Sequence, residues 1–320
     1  DQLVYALHIP GTGAFEAHGI PKGCTDDTQE FPPNDIDSPK GLRSLLQKNS
    51  ERGGTAAVLI EPLGPESGTR PSTKDFNKQV RELCDQFGAL LIFDEVVTGF
   101  RVGLGGAQGY FGIKPDITVL GKTIAGGFPM AGAVGGRTDI ISLAASGVEG
   151  TKKRAYVGGT LSANPLSCVA GYWAIKEIER TNACFKAGAA GDRIAKGIQE
   201  SIDKYSLPYV VYNTGSICHL ETSGVMLLNI MDPNTFKELG PRKQMIEEMG
   251  AAFEAIGGII TIGGSRIYTS MVDTNEVIDN ALTGFDKVFS MSEGAKQGST
   301  QVAKKAAKNS SKKSAKKSLN

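Results

Sequence analysis

Lys122 follows Asp94 by 28 residues, and each closes a short apolar run. The first run reads Leu91-Ile-Phe-Asp-Glu-Val-Val-Thr-Gly-Phe-Arg101, and the second Asp116-Ile-Thr-Val-Leu-Gly-Lys-Thr-Ile-Ala-Gly-Gly-Phe-Pro129. A lysine amine can form a Schiff base with an aldehyde, and a carboxylate can hold a pyridine nitrogen protonated. Asp94 comes after five apolar residues and just before Val96-Val97, so its carboxylate is expected to be buried. A buried carboxylate is costly without a cation beside it, and a pyridinium would be that cation. Val96 would then lie where an apolar side chain can pack on a planar ring. Lys122, between Ile117-Thr-Val-Leu-Gly and Thr123-Ile-Ala-Gly-Gly-Phe-Pro, occupies a poor setting for a solvent-facing charge and is expected to be buried too.

A third element is Tyr156-Val-Gly-Gly-Thr-Leu-Ser-Ala-Asn-Pro165, which leads into a helical pattern. Backbone amides and a hydroxyl beside a helix N-terminus suit a phosphate, and this makes Gly159 and Thr160 candidate ligands. Together the three segments have the order of a lysine-anchored pyridoxal phosphate site. Glu61, closing Ala56-Ala-Val-Leu-Ile-Glu-Pro, is a candidate for a cofactor or substrate group, or a buried acid tied to backbone amides. Arg266 could pair with a substrate carboxylate in bidentate fashion, or stand as a surface arginine at a strand edge.

These residues need rigid elements beneath them. Residues 3–8 read as a strand and 11–40, rich in Gly, Pro, Asp and Thr, as a loop. A short helix follows at 38–47. Residues 56–60 form a continuous apolar run closed by Pro62, as in a strand buried on both faces. Helical spacing at Phe76, Val80, Leu83, Cys84 and Phe87 ends at Gly88, the expected C-terminal stop. Strands at 89–94, 116–120 and 130–134 complete an alternation that predicts an α/β fold, a mostly parallel sheet with helices on both faces. Ligands in such sheets gather at the carboxyl ends of strands, where Glu61, Asp94 and Lys122 all fall. Helices at 164–180 and 185–205 lead to a smaller α+β unit. Its strands are predicted at 209–212, 216–220, 225–230 and 258–262, and its helices at 237–256 and 275–291. The expected domains are 1–182, 183–292 and a Lys-rich tail, 293–320.

Composition narrows the class. With 320 residues and a 40% hydrophobic fraction the chain can bury a large core, and no apolar run approaches the ~20 residues of a membrane-spanning helix. The tail carries a net +7 against an overall +1, which leaves the body at −6 and argues against a cationic nucleic-acid surface outside that tail. The tail has too little apolar surface to offset its ordering entropy and reads as disordered. Five cysteines, odd in number and without a CxxC pair, suggest buried free thiols rather than a disulfide framework or zinc ribbon. His8, His18 and His219 lack metal-ligand spacing, so no metal is expected. The chain starts at Asp1 with no cationic, apolar leader, and is expected to be a piece of a longer protein or a processed form. A cytoplasmic setting is the expectation, with a mitochondrial or other organellar one left open.

The segment from Ala56 to Arg180 closely resembles the class III pyridoxal-phosphate-dependent aminotransferases of fold type I, and among them the glutamate-1-semialdehyde aminomutase branch. The stretches that carry it are Ile60-Glu-Pro, Phe93-Asp-Glu-Val-Val-Thr-Gly-Phe-Arg101, Leu120-Gly-Lys-Thr-Ile-Ala-Gly-Gly-Phe-Pro129 and Gly159-Thr-Leu-Ser-Ala-Asn-Pro165. The resemblance extends more loosely over residues 1 to about 291. It implies that Lys122 is the Schiff-base lysine, Asp94 the pyridinium partner, Val96 a ring contact and Thr160 a phosphate ligand reaching across a homodimer interface. It also implies an amino acid or amine as substrate.

Set against that family, the glycine-rich Ser/Thr loop and the Tyr-His-Gly stretch of its N-terminal segment are absent, with Gly19-Ile-Pro-Lys-Gly resembling the loop that follows. Weak or no cofactor binding by this chain alone is the corresponding expectation. Gly11-Thr-Gly-Ala-Phe-Glu-Ala-His-Gly only loosely matches the mutase gating loop, and Arg266 stands where an acid is expected. Transamination is therefore favoured over intramolecular amino transfer. A reading from another class is a non-catalytic remnant kept for dimerisation, against which the joint presence of Asp94, Lys122 and Thr160 weighs.

Overall fold

The computed structural model describes residues 2–6 (as backbone), 19–129, 132–144, 154–155, 157–224 and 235–292. It divides into two compact units, Asp1–Phe185 and Lys186–Asn320. The predicted strand at 225–230, loop residues 11–18, Tyr156 and the tail from Glu293 lie outside the described residues.

In the first unit the strands are β1 (Gln2–Ala6), β2 (Thr28–Phe31), β3 (Thr55–Ile60), β4 (Leu90–Asp94), β5 (Ile117–Leu120) and β6 (Ala133–Gly136). Among the described residues they form one sheet in the order β2-β1-β3-β4-β5-β6. All neighbours are parallel except β5 and β6. The helices longer than four residues are α1 (Leu42–Ser50), α2 (Phe76–Phe87), α3 (Gly106–Phe111) and α4 (Pro165–Thr181). On α2 the residues Phe76, Val80, Leu83 and Cys84 face inward as their spacing predicts. The helix stops at Gly88, which adopts φ 70° and returns its N–H to the Cys84 carbonyl. The core joins Leu42 and Leu46 of α1 and the inner face of α2 to Phe31, Val58, Ile60, Leu91 and Phe93 of the sheet.

One sequence reading is corrected in this sheet, and one element is added. Residues 28–31 are not loop: β2 pairs with β1 in parallel, Ala6 opposite Phe31. As an edge strand it buries fully only Phe31, so it shows almost no apolar pattern. The added element, α3, sits in the glycine-rich segment after β4, where no periodicity points to it.

The second unit contains α5 (Ala183–Tyr205, which begins three residues before it), α6 (Thr235–Ala252) and α7 (Asn275–Met291). With them is an antiparallel sheet of β7 (Val210–Thr214), β8 (Ile217–Glu221) and β9 (Arg266–Tyr268). Ile194, Ile198 and Ile202 of α5 pack with Phe253 and with Phe285 and Phe289 of α7. The strand expected at 258–262 does not form. Left-handed glycines at 258, 263 and 264 bracket it, and only Ile262 pairs, by a bridge to Arg266. Among the described residues no helix is long and apolar enough to cross a membrane.

Asp116 holds the amino edge of the large sheet together. Its backbone N–H donates to the Leu91 carbonyl at 2.8 Å, and its Oδ2 accepts from the Leu91 N–H at 2.8 Å. Arg81 of α2 reaches the same oxygen at 2.8 Å, and Arg137, just past β6, reaches Oδ1 at 3.0 Å. Burial pushes this carboxyl up, but the Leu91 amide and the two guanidiniums outweigh burial and hold it below the usual carboxylate range. Its stabilising contribution is thus complete above the unfolded pKa of ~3.9 and is lost as pH falls through the depressed folded value. Asp116→Asn should cost about 2–3 kcal/mol in urea unfolding at pH 7. The gap from wild type should narrow in acid below pH ~4, and a gap independent of pH would contradict the assignment.

Candidate active site

The register of three adjacent parallel strands brings the predicted acids and the lysine to one edge. Ile60 pairs with Phe93, and Asp94 pairs with Val119. Glu61, Asp94 and Lys122 therefore stand at or just past the carboxyl ends of β3, β4 and β5. Lys122 lies three residues beyond the partner of Asp94.

Asp94 is half-buried and accepts the Val96 N–H on Oδ1 at 2.9 Å. This local turn fixes the carboxylate relative to the backbone that follows. Val96 is half-buried against Gly121, where a Cβ would fall 3.2 Å from Val96 Cγ1. The residue expected to pack on a ring thus sits between Asp94 and Lys122.

Lys122 opens a 3-10 turn, Lys122–Ala125, with φ 50°. A non-glycine residue in the left-handed region is strained by about 1–2 kcal/mol, and such strain persists only where surroundings impose it. Here α4 imposes it. A Cβ on Gly171 would meet the Ile124 carbonyl oxygen at 2.0 Å, and one on Gly126 would meet the Ala170 carbonyl at 2.5 Å. Helix and turn touch backbone to backbone, which only glycine permits. Ser167 adds a hydrogen bond to the Pro129 carbonyl at 2.8 Å, and the Asn164 side chain caps α4 by accepting the Ser167 N–H.

The expectation of a buried lysine is corrected: Lys122 is exposed. Strand β5 ends at Leu120, and the strained turn carries the next residues off the sheet edge rather than into a helix–sheet layer. Gly159 and Thr160 are exposed, in the segment that runs into the capped start of α4. The helix ties that segment to the lysine turn.

Glu61 is bound to the backbone. Its two oxygens accept the N–H groups of Glu66 at 2.9 Å and Ser67 at 2.8 Å. Burial raises its pKa, the two amides oppose that, and the charge of Asp94 raises it further, which places the two acids within electrostatic reach. The alternative of a backbone-tied acid is the one found. Arg266 lies in the second unit, on β9 opposite His219.

One residue beside the site escaped sequence reading. Glu95, next to Asp94, is 1% exposed and accepts from Thr98, Ala107 and Gln108. The available signal was the acid pair itself, since successive side chains at a strand end take opposite sides.

The arrangement can bind a heteroaromatic aldehyde: a carboxylate for a ring nitrogen, an apolar wall and a primary amine, all at adjoining strand ends. The family model for "Aminotransferase class-III" matches residues 18–250. A glutamate-1-semialdehyde 2,1-aminomutase of Pyrobaculum neutrophilum is 33% identical over 296 residues, 89% of this chain and 65% of the relative. The chain thus spans about two-thirds of that relative's length. Among solved structures, an omega-transaminase from Sphaerobacter thermophilus aligns with a TM-score of 0.75 at 25% identity, over 92% of this chain and 68% of that one. A transaminase with PLP bound shares the fold at a TM-score of 0.72 and 24% identity, over the same 92% and 68%.

The strain at position 122 can be measured apart from chemistry. Lys122→Gly should be more stable than Lys122→Ala by about 1 kcal/mol in denaturant unfolding, because glycine adopts φ 50° without penalty. Equal stability of the two variants would show that the turn is not strained.

Proposed function

The chain belongs to the class-III aminotransferase family, and from that premise we propose that it carries out amino transfer on an amino acid or amine with pyridoxal 5'-phosphate as cofactor. The observation that carries this is the placement of Asp94 and Lys122 at the carboxyl ends of neighbouring parallel strands, with Val96 between them. The donor set fits the cofactor. Asp94 supplies a carboxylate to hold a proton on the pyridine nitrogen, Val96 an apolar contact for a ring face, and Lys122 an amine for covalent attachment. Gly159 and Thr160 would take the phosphate through backbone amides and a hydroxyl ahead of α4. When bound, the cofactor supplies an electron sink for the bond broken at the substrate carbon.

The residues of the chain do the rest. Lys122, on a turn clamped by α4, presents its amine to move a proton on that carbon. Asp94 keeps the nitrogen protonated, its own carboxylate oriented by the Val96 amide. Glu61, bound to the Glu66 and Ser67 amides, stiffens the adjoining strand end. The similarity to a named aminomutase supports a second reading, intramolecular amino transfer within glutamate semialdehyde.

A homodimer is part of this proposal. Only Ser167 and Gly171 of the 17 residues in α4 are buried, while Leu166, Val169, Tyr172 and Trp173 are 56–65% exposed. A helix with so apolar an exposed side needs a partner, and a second copy would cover it beside Thr160.

Two measurements test the proposal. Wild type incubated with pyridoxal phosphate in large excess, to offset the weak binding expected of this chain alone, and then with borohydride should carry a stable adduct on residue 122, seen by peptide mass, and Lys122→Ala should carry none there and lose turnover by about 10⁴-fold or more. Turnover of glutamate semialdehyde without an added amino acceptor would select the mutase reading over transamination. For the assembly, Trp173→Asp should convert a dimer to a monomer in sedimentation, and an unchanged species would remove α4 from the interface.

A further inference from the structure

We propose that Glu95 is a positioning residue for Asp94, an inference that rests on the reading of Asp94 as the partner of a ring nitrogen. Four donors converge on the Glu95 carboxylate. Oε2 accepts from the Thr98 hydroxyl at 2.9 Å and the Ala107 N–H at 2.5 Å. Oε1 accepts from the backbone N–H and the side-chain amide of Gln108, each at 3.2 Å. The Gln108 amide also donates to the Thr118 hydroxyl of β5 at 3.3 Å. One carboxylate therefore joins the end of β4, the start of α3 and the strand that leads to Lys122.

The main chain of Glu95 is held as firmly. Its N–H donates to the Val119 carbonyl at 2.9 Å, and its own carbonyl accepts the Gly99 N–H at 3.0 Å. Residue 95 lies between Asp94 and Val96, whose N–H orients the Asp94 carboxylate. With residue 95 pinned at side chain and backbone, that amide has a fixed direction, and so does the Asp94 oxygen it holds. Gly106 is shaped to the arrangement: with φ 59°, it would place a Cβ 2.2 Å from Glu95 Oε2. Space is reserved for the carboxylate and nothing else.

The site requires an acceptor-only group. Each oxygen faces two donors, so a glutamine at 95 would aim its NH₂ at donors whichever way it turned, leaving groups buried and unbonded. The size of the side chain is kept and its hydrogen-bonding logic is broken.

The test uses the cofactor-free full chain and residue-resolved amide exchange. In Glu95→Gln the Val96 amide should exchange about tenfold faster or more, while Val58 of β3 and Val80 of α2 exchange as in wild type. The Val96 amide proton should also shift as its bond to the Asp94 carboxylate loosens. An unchanged Val96 rate, or an equal rise at all three amides, would overturn the proposal, the latter by showing a role in global stability alone. If Glu95→Gln fails to accumulate folded, Thr98→Val, which removes one of the four donors, is read by the same two outcomes. Lys122→Ala, which decides the reading above, should leave this exchange pattern as it is, so the two ideas fail separately.

Discussion

The pairing of β4 with β5 is the constraint on which the site depends. Because Asp94 lies opposite Val119, Lys122 emerges three residues later at the neighbouring strand end. A slip of one residue would turn every side chain of β5 to the other face and carry the lysine away from the acid. The register is pinned at both ends. Asp116 exchanges two hydrogen bonds with Leu91 at the amino edge, and Glu95 donates to Val119 at the carboxyl edge. Arg81 and Arg137 then tie Asp116 to α2 and to the antiparallel neighbour β6. A carboxylate this enclosed would be a liability if unpaired, and with two guanidiniums and an amide it becomes a fastener.

From that register outward, small residues set the rest. Gly121 admits Val96, and Gly126 and Gly171 let α4 press directly on the lysine turn. The strained φ of Lys122 is thus a consequence of contacts that allow no alternative path, not of the lysine itself. The same helix begins at the capped Asn164, just after Thr160, so one rigid element sets both the amine and the candidate phosphate ligand.

Much of this was legible in the sequence, and the misses have physical causes. Helix α2 and its glycine stop show because a two-faced helix must repeat its apolar residues and glycine adopts φ 70° without penalty. The strands leading to Asp94 and Lys122 show because β4 and β5 each lie between two neighbours and must be apolar. Edge strand β2 does not show, since one side of it has no neighbour and its pattern is diluted. The run at 258–262 misleads because apolarity says nothing of the left-handed glycines around it. Lys122 was expected inside because its neighbours in sequence are apolar, yet the strained turn takes it off the sheet edge. Glu95 was passed over because its donors, Ala107 and Gln108, lie 12 and 13 residues away in a glycine-rich stretch without periodicity. Long-range hydrogen bonds leave no period to read.

Strain and order are divided between the two edges of the sheet. Among the described non-glycine residues of the first unit, Asn34, Glu66, Ser67, Phe100 and Lys122 adopt positive φ after β2, β3, β4 or β5 at the carboxyl edge, and Ala163 and Asn182 do so beside the two ends of α4. The amino edge carries the Asp116 network instead. Strained backbone opens readily unless something over-determines it, and here the restraints are specific: Glu61 holds Glu66 and Ser67, Glu95 holds the turn before Phe100, and α4 holds Lys122. Two of these three restraints are buried or half-buried carboxylates accepting N–H or O–H groups, and the third is glycine packing. Such restraints position backbone without projecting bulk toward the edge, which leaves the space above the strands to whatever Asp94 and Lys122 bind. The strained backbone therefore stands at the edge that carries the proposed ligand site, and the ion network fastens the opposite edge.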